Sequence, residues 1–124
     1  MKYQLSFCEI EQLSDNVFET VVKEGIVLDK NCSDEVCNFW NNLRDKPFGL
    51  LVNCKNKYSR SFEGSLEVGK HPLQQKTTYF CNADDRYSKE QLKTTLQIIK
   101  MTKHSANHKI FSDRDNAINW LSDI

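Results

Sequence analysis

The segment from Lys109 to Ile124, KIFSDRDNAINWLSDI, constrains the fold more than any other stretch of the chain. Lys109-Ile110-Phe111 is a short strand that runs directly into a helix start. Ser112 and Asp115 stand in the Ser-x-x-Asp spacing that caps a helix N-terminus. Asp113 and Asp115 add negative charge to the first turn, where the helix dipole favours it. Ala117, Ile118 and Leu121 recur on one helical face and Trp120 widens the stripe, which predicts that Trp120 is a core anchor. A strand feeding a capped amphipathic helix without a linker is the repeating unit of an α/β sheet.

The preceding residues repeat the alternation. Tyr3, Leu5 and Phe7, extending to Cys8–Ile10, read as one strand. Asp15-Asn16 turns the chain into a second, Val17 to Val22, which Gly25 ends. Cys32, Val36, Phe39, Trp40 and Leu43 share one face of a helix over Lys30 to Asp45, stopped by Lys46-Pro47. Phe48 to Val52, FGLLV, is an unbroken apolar run, the pattern of a central strand covered on both faces. Tyr58, Phe62 and Leu66 predict a short helix ending near Gly69, and Thr77 to Cys81 the next strand. Ser88 and Gln91 cap a third helix whose inner face carries Leu92, Leu96 and Ile99. The expected fold is α/β, one domain over residues 1–124, in the order β-β-α-β-α-β-α-β-α. Its sheet is mostly parallel with an antiparallel edge strand.

Composition narrows the function classes. No apolar run approaches the ~20 residues of a membrane span, and the N-terminal residues lack the apolar core of a signal peptide, so a cytoplasmic protein is expected. Seventeen Lys and Arg balance seventeen Asp and Glu, which gives little drive toward bulk nucleic acid. The charges are segregated: residues 1–45 hold nine acids and four bases, residues 46–110 five acids and twelve bases. The five cysteines form no Cys-x-x-Cys and share no zinc-ligand spacing with histidine, so reduced thiols are expected. Cys32 and Cys37 do not converge on a helix. Cys8, near an exposed strand, is a candidate reactive thiol without a basic neighbour in sequence.

The element order, together with KPFGLLVN, YSRSFEG and IFSDRDNAINWL, resembles the SpoIIAA-like proteins of the STAS group. That group includes anti-sigma-factor antagonists and sulfate-transporter tails, and the resemblance is nearest its small bacterial members. It spans nearly the whole chain and implies a SpoIIAA-like fold. In the antagonists a strand ending in Asp leads to Ser-Ser-Gly or Thr-Ser-Gly at a helix start, and one hydroxyl takes a phosphate. Here the strand ends in Asn53, Gly64 matches the glycine, and Phe62 and Glu63 occupy the two positions before it. The family position therefore offers no hydroxyl, and Ser59 and Ser61 lie close by as candidates for an offset switch.

Other candidates have plainer readings. His104 and His108 straddle a helix end and read as surface histidines, not metal ligands. Lys89, Lys93, Lys100 and Lys103 fit the solvated side of the third helix, and no aromatic residues interleave with them as single-strand binders require. Glu9 with Glu11 reads as a solvent face, and Asp84 with Asp85 as a turn. No phosphate loop or nucleophile elbow is present, and no metal or cofactor site is expected.

One polar cluster has positional meaning. Asn53, Lys55, Lys57, Tyr58, Ser59 and Arg60 follow the most apolar strand, at the sheet edge where open α/β sheets bind ligands. They are either an ordinary solvated loop or a binding surface for an anion or an acidic partner. The functional expectation is a non-enzymatic regulatory or protein-interaction module, with another protein as partner and a homodimer left open. The alternative is a small-ligand or lipid-binding domain. No membrane or nucleic-acid partner, catalytic residue or enzymatic activity is expected.

Overall fold

The structure is a computed structural model that describes residues 1–66, 71–80, 90, 93, 94, 96–98, 100 and 108–123. The strands are β1 (Lys2–Gln4), β2 (Cys8–Ser14), β3 (Val17–Val22), β4 (Val27–Leu28), β5 (Phe48–Asn53), β6 (Ser59–Arg60), β7 (Gln74–Phe80) and β8 (His108–Phe111). The helices are α1 (Lys30–Leu43), α2 (Phe62–Leu66), α3, to which residues 90, 93, 94 and 96–98 belong, and α4 (Arg114–Ser122). Six strands form one mixed sheet in the order β1-β2-β3-β5-β7-β8. β1, β2 and β3 pair antiparallel, whereas β3, β5, β7 and β8 run parallel. β4 and β6 pair with each other in a second, two-stranded parallel sheet.

The pleat sends alternate residues to opposite faces, and both faces are covered. Phe18, Phe48, Leu50, Val52 and Tyr79 pack with α1, chiefly through Trp40 and the half-buried Val36, Phe39 and Leu43. Val17 and Leu51 pack on the other face against Ala117 and Leu121 of α4. β5 thus lies between two apolar layers, which is why FGLLV is unbroken. Trp40 has no exposed surface and sits 4.3 Å from the Phe48 ring and 5.0 Å from Phe18. Asp29 caps α1 by accepting from the Cys32 amide at 3.0 Å. At the other end the Arg44 amide donates to the Trp40 carbonyl at 2.8 Å, and its guanidinium donates to Asp15 O and Pro47 O while lying over Phe18 and Phe48.

Four expectations are corrected. The first strand divides into β1 and β2, which form a hairpin of their own. Ser6 sits at the break because its amide and hydroxyl both donate to Glu35 of α1, the amide at 2.8 Å; alternation along the strand carries no sign of this long-range tether. By contrast β3 runs from Val17 to Val22 as expected, and Gly25 follows it in a turn with φ of 80°.

α4 is capped by Asp113, not by Ser112 with Asp115. Asp113 accepts from the Asp115 amide at 2.9 Å and from the Asn116 side chain at 3.1 Å. β8 extends to Phe111, so Ser112 serves as the link. Trp120 is half-buried, because Ala117 and Leu121, one helical turn apart, take the position facing the sheet. Its ring leans on Phe111 and lies under the Lys76 and Lys109 ammonium groups at 4.9 and 5.0 Å.

Tyr58 precedes β6 and is not helical, so α2 starts at Phe62. Of the third helix, Leu96 is half-buried against the α1-side core, and Lys93 and Lys100 are exposed. The expectations at Gly69, Cys81, Asp84, Asp85, Ser88, Lys89, Gln91, Leu92, Ile99, Lys103 and His104 lie outside the described residues.

Candidate functional site

β5 delivers its loop to the carboxyl ends of the parallel strands. Asn53 pairs with Val21 on one side and Phe80 on the other, and Phe80 pairs with Phe111. The loop is tied down along its length. The Cys54 amide donates to Phe80 O at 3.0 Å, the Asn56 side chain to Val22 O at 3.0 Å and the Gly25 amide to Lys57 O at 2.8 Å. The Ser59 and Ser61 amides donate to Ile26 O and Leu28 O, both at 3.0 Å. Each such bond contributes roughly 1 kcal/mol net, and together they remove the freedom of a solvated loop.

The six residues of the polar cluster fall into three environments. Asn53 turns to the α4 face, where its amide donates to Glu19 at 3.1 Å; Glu19 is buried and also accepts from Arg114 at 2.6 Å. Lys55 and Lys57 are exposed. Tyr58, Ser59 and Arg60 are half-buried. The Tyr58 hydroxyl lies 3.7 Å from Cys54 Sγ, and burial pushes it well above the usual phenol range. The Arg60 guanidinium is held by the Tyr58 hydroxyl and lies 5.7 Å from the centre of the Tyr79 ring. Arg60 therefore does not share the exposed loop tip with Lys55 and Lys57. Pairing of β6 with β4 draws Arg60 inward while the lysines stay at the tip.

Ser61 caps α2. Its hydroxyl accepts from the Gly64 amide at 2.9 Å and donates to Leu28 O at 3.4 Å. Gly64 presses its backbone on β4: a Cβ there would stand 2.1 Å from Leu28 O. Phe62 is 57% exposed and Glu63 is exposed.

Two features escaped the sequence reading. One is the Glu19–Asn53–Arg114 group, whose only trace is a carboxylate inside the apolar strand VFETVV. The other is a cavity of about 90 Å³ between α1 and the sheet, lined by Ile10, Val36, Leu50, Val52, Arg60 and His71 among others. His71 is buried, and both ring nitrogens are engaged. Nε2 meets Asn41 Oδ1 at 2.7 Å, Nδ1 accepts from the Leu73 amide at 3.2 Å, and burial lowers its pKa.

Cys8 also lines the cavity. It is buried, and burial pushes its thiol up to about 11, which corrects the expectation of a reactive thiol near the surface. The Cys32 thiol is raised for the same reason. His108 lies beside Tyr79, with its Nδ1 3.4 Å from the tyrosine hydroxyl. Among the described residues no group of His, Cys, Asp and Glu could hold a metal ion, and no helix is long and apolar enough to cross a membrane. No protein-family model, curated protein or solved structure matches this chain.

Proposed function

We propose that this chain is a STAS-type, non-enzymatic interaction module of the cytoplasm that docks an acidic protein surface on the loop from Asn53 to Arg60. One observation carries the reading. The loop sits at the carboxyl ends of the parallel strands and is hydrogen-bonded throughout, yet it presents Lys55 and Lys57 to solvent. A loop already ordered loses little entropy on docking, and exposed lysines steer an oppositely charged partner. The raised Cys8 and Cys32 thiols favour this reading over thiol chemistry. The SpoIIAA-like resemblance of the sequence supports the same class of activity.

The test is a photo-crosslinking residue at position 55 in the native cell, with one at exposed Asp45 as control. The expected adduct forms at 55 and not at 45, weakens with salt, and disappears when Lys57 is changed to Glu. A crosslinked second copy of the chain would identify the partner as itself. An adduct indifferent to both salt and charge reversal would refute the docking role.

A further inference from the structure

The cavity between α1 and the sheet contains a charge whose position the docking reading does not explain. Most polar groups in its wall are occupied by the protein itself. The Thr20 hydroxyl donates to Glu9 O at 3.2 Å, and Thr77 Oγ1 accepts from Gln74 at 2.8 Å. Asp29 caps α1, and both nitrogens of His71 are engaged. Arg60 differs. Its neighbours are the Tyr58 hydroxyl and the face of Tyr79, and among the described residues no carboxylate pairs with it. A guanidinium keeps its proton under all ordinary conditions, so the wall holds a fixed positive charge, half-buried and with no carboxylate partner among the described residues. The rest of the lining is largely apolar: Ile10, Val36, Leu50 and Val52 lie around it.

We propose that this cavity is a binding site for a small aliphatic carboxylate. The carboxylate supplies the counter-ion to Arg60, and its short tail packs against Val36, Leu50 and Ile10. Three properties select the class. The guanidinium fork matches a planar carboxylate with two parallel N–H···O bonds. Apolar walls favour an alkyl tail over a fully polar anion such as phosphate, which would lose its hydration without replacement. The volume of about 90 Å³ is several times that of one water and smaller than the ~150 Å³ cavity known to hold benzene, so the ligand has about four to six heavy atoms. Propanoate fits these limits. The site is independent of the exposed lysines and stands or falls separately from the docking role.

The experiment titrates the full chain with propanoate, with propanamide as its uncharged isostere, and with inorganic phosphate, by calorimetry and by backbone-amide chemical shifts. Propanoate is expected to bind at about millimolar concentration, roughly tenfold more tightly than propanamide or phosphate, and to shift the amides of Val36, Leu50 and Arg60. Arg60→Met should remove the preference for propanoate over propanamide. Val36→Phe, which fills the cavity and leaves Arg60 in place, should abolish binding of both, and it serves if Arg60→Met fails to fold. Lys55→Glu with Lys57→Glu should leave the propanoate affinity unchanged. Equal affinity for propanoate and propanamide, equal affinity for phosphate, or binding that survives Val36→Phe would each overturn the proposal, as would an absence of propanoate binding.

Discussion

Gly64→Ala isolates the contact that shapes the candidate site. A methyl at this position would lie 2.1 Å from the Leu28 carbonyl oxygen and 2.9 Å from its carbon, both backbone atoms that no rotamer change can move. Relief requires α2 to withdraw from β4 by about an ångström, to ordinary van der Waals separation. That shift stretches the Ser61 amide bond to Leu28 O, now 3.0 Å, and loosens the pairing of Val27 with Ser59 and Leu28 with Arg60. Overpacking of this kind costs ~1–3 kcal/mol, and the weakened hydrogen bonds add about 1 kcal/mol each. Against this stands a gain of up to ~1 kcal/mol from replacing a helical glycine.

The expected net loss is about 2–4 kcal/mol, read as a lower urea midpoint at unchanged slope. Gly25→Ala is the control. Nothing lies within 4 Å of its Cβ, so only the backbone conformation at φ of 80° is strained; about 1–2 kcal/mol is expected. Equal effects at the two glycines, or a Gly64→Ala protein as stable as wild type, would refute the argument that close approach of α2 to β4 sets the position of Arg60.

Three further outcomes follow from the packing and the charges. Trp40→Ala should cost ~3–5 kcal/mol in denaturant melts and Trp120→Ala only about 1–2, since Trp40 is fully enclosed whereas Trp120 is half-buried beneath two lysines. Arg114→Ala should cost about 2 kcal/mol because it strands the buried Glu19, while the double variant with Glu19→Gln should lose less than the two single losses added. Between pH 9 and 11 stability should fall as pH rises. The Cys8 thiol keeps its proton in the folded chain up to about 11 while the unfolded thiol ionises near 9, so Cys8→Ala should flatten that window in pH-dependent melts by up to ~2–3 kcal/mol.

Local and periodic features were legible before the structure. The Asp15-Asn16 turn, the α1 stripe, the unbroken apolar run of β5 and the alternation that makes a parallel sheet all rest on spacings within a few residues. The misses have a common physical origin. Ser6 breaks the first strand because Glu35, far along the chain, bonds to it. Trp120 yields its place because the sheet accepts a narrower stripe of α4 than the hydrophobic pattern offers.

The same division runs through the candidate site. The sequence by itself determined that a polar, basic loop follows the most apolar strand and so reaches the carboxyl edge of a parallel sheet. Only the tertiary structure decided which way each side chain points. The β4–β6 pairing turns Arg60 into the cavity and leaves Lys55 and Lys57 outside. The pleat sends Asn53 to Glu19 and Arg114 on the opposite face. A side chain's chemistry is carried by its own residue, but its direction and its counter-charge come from segments distant along the chain, and no local spacing records them.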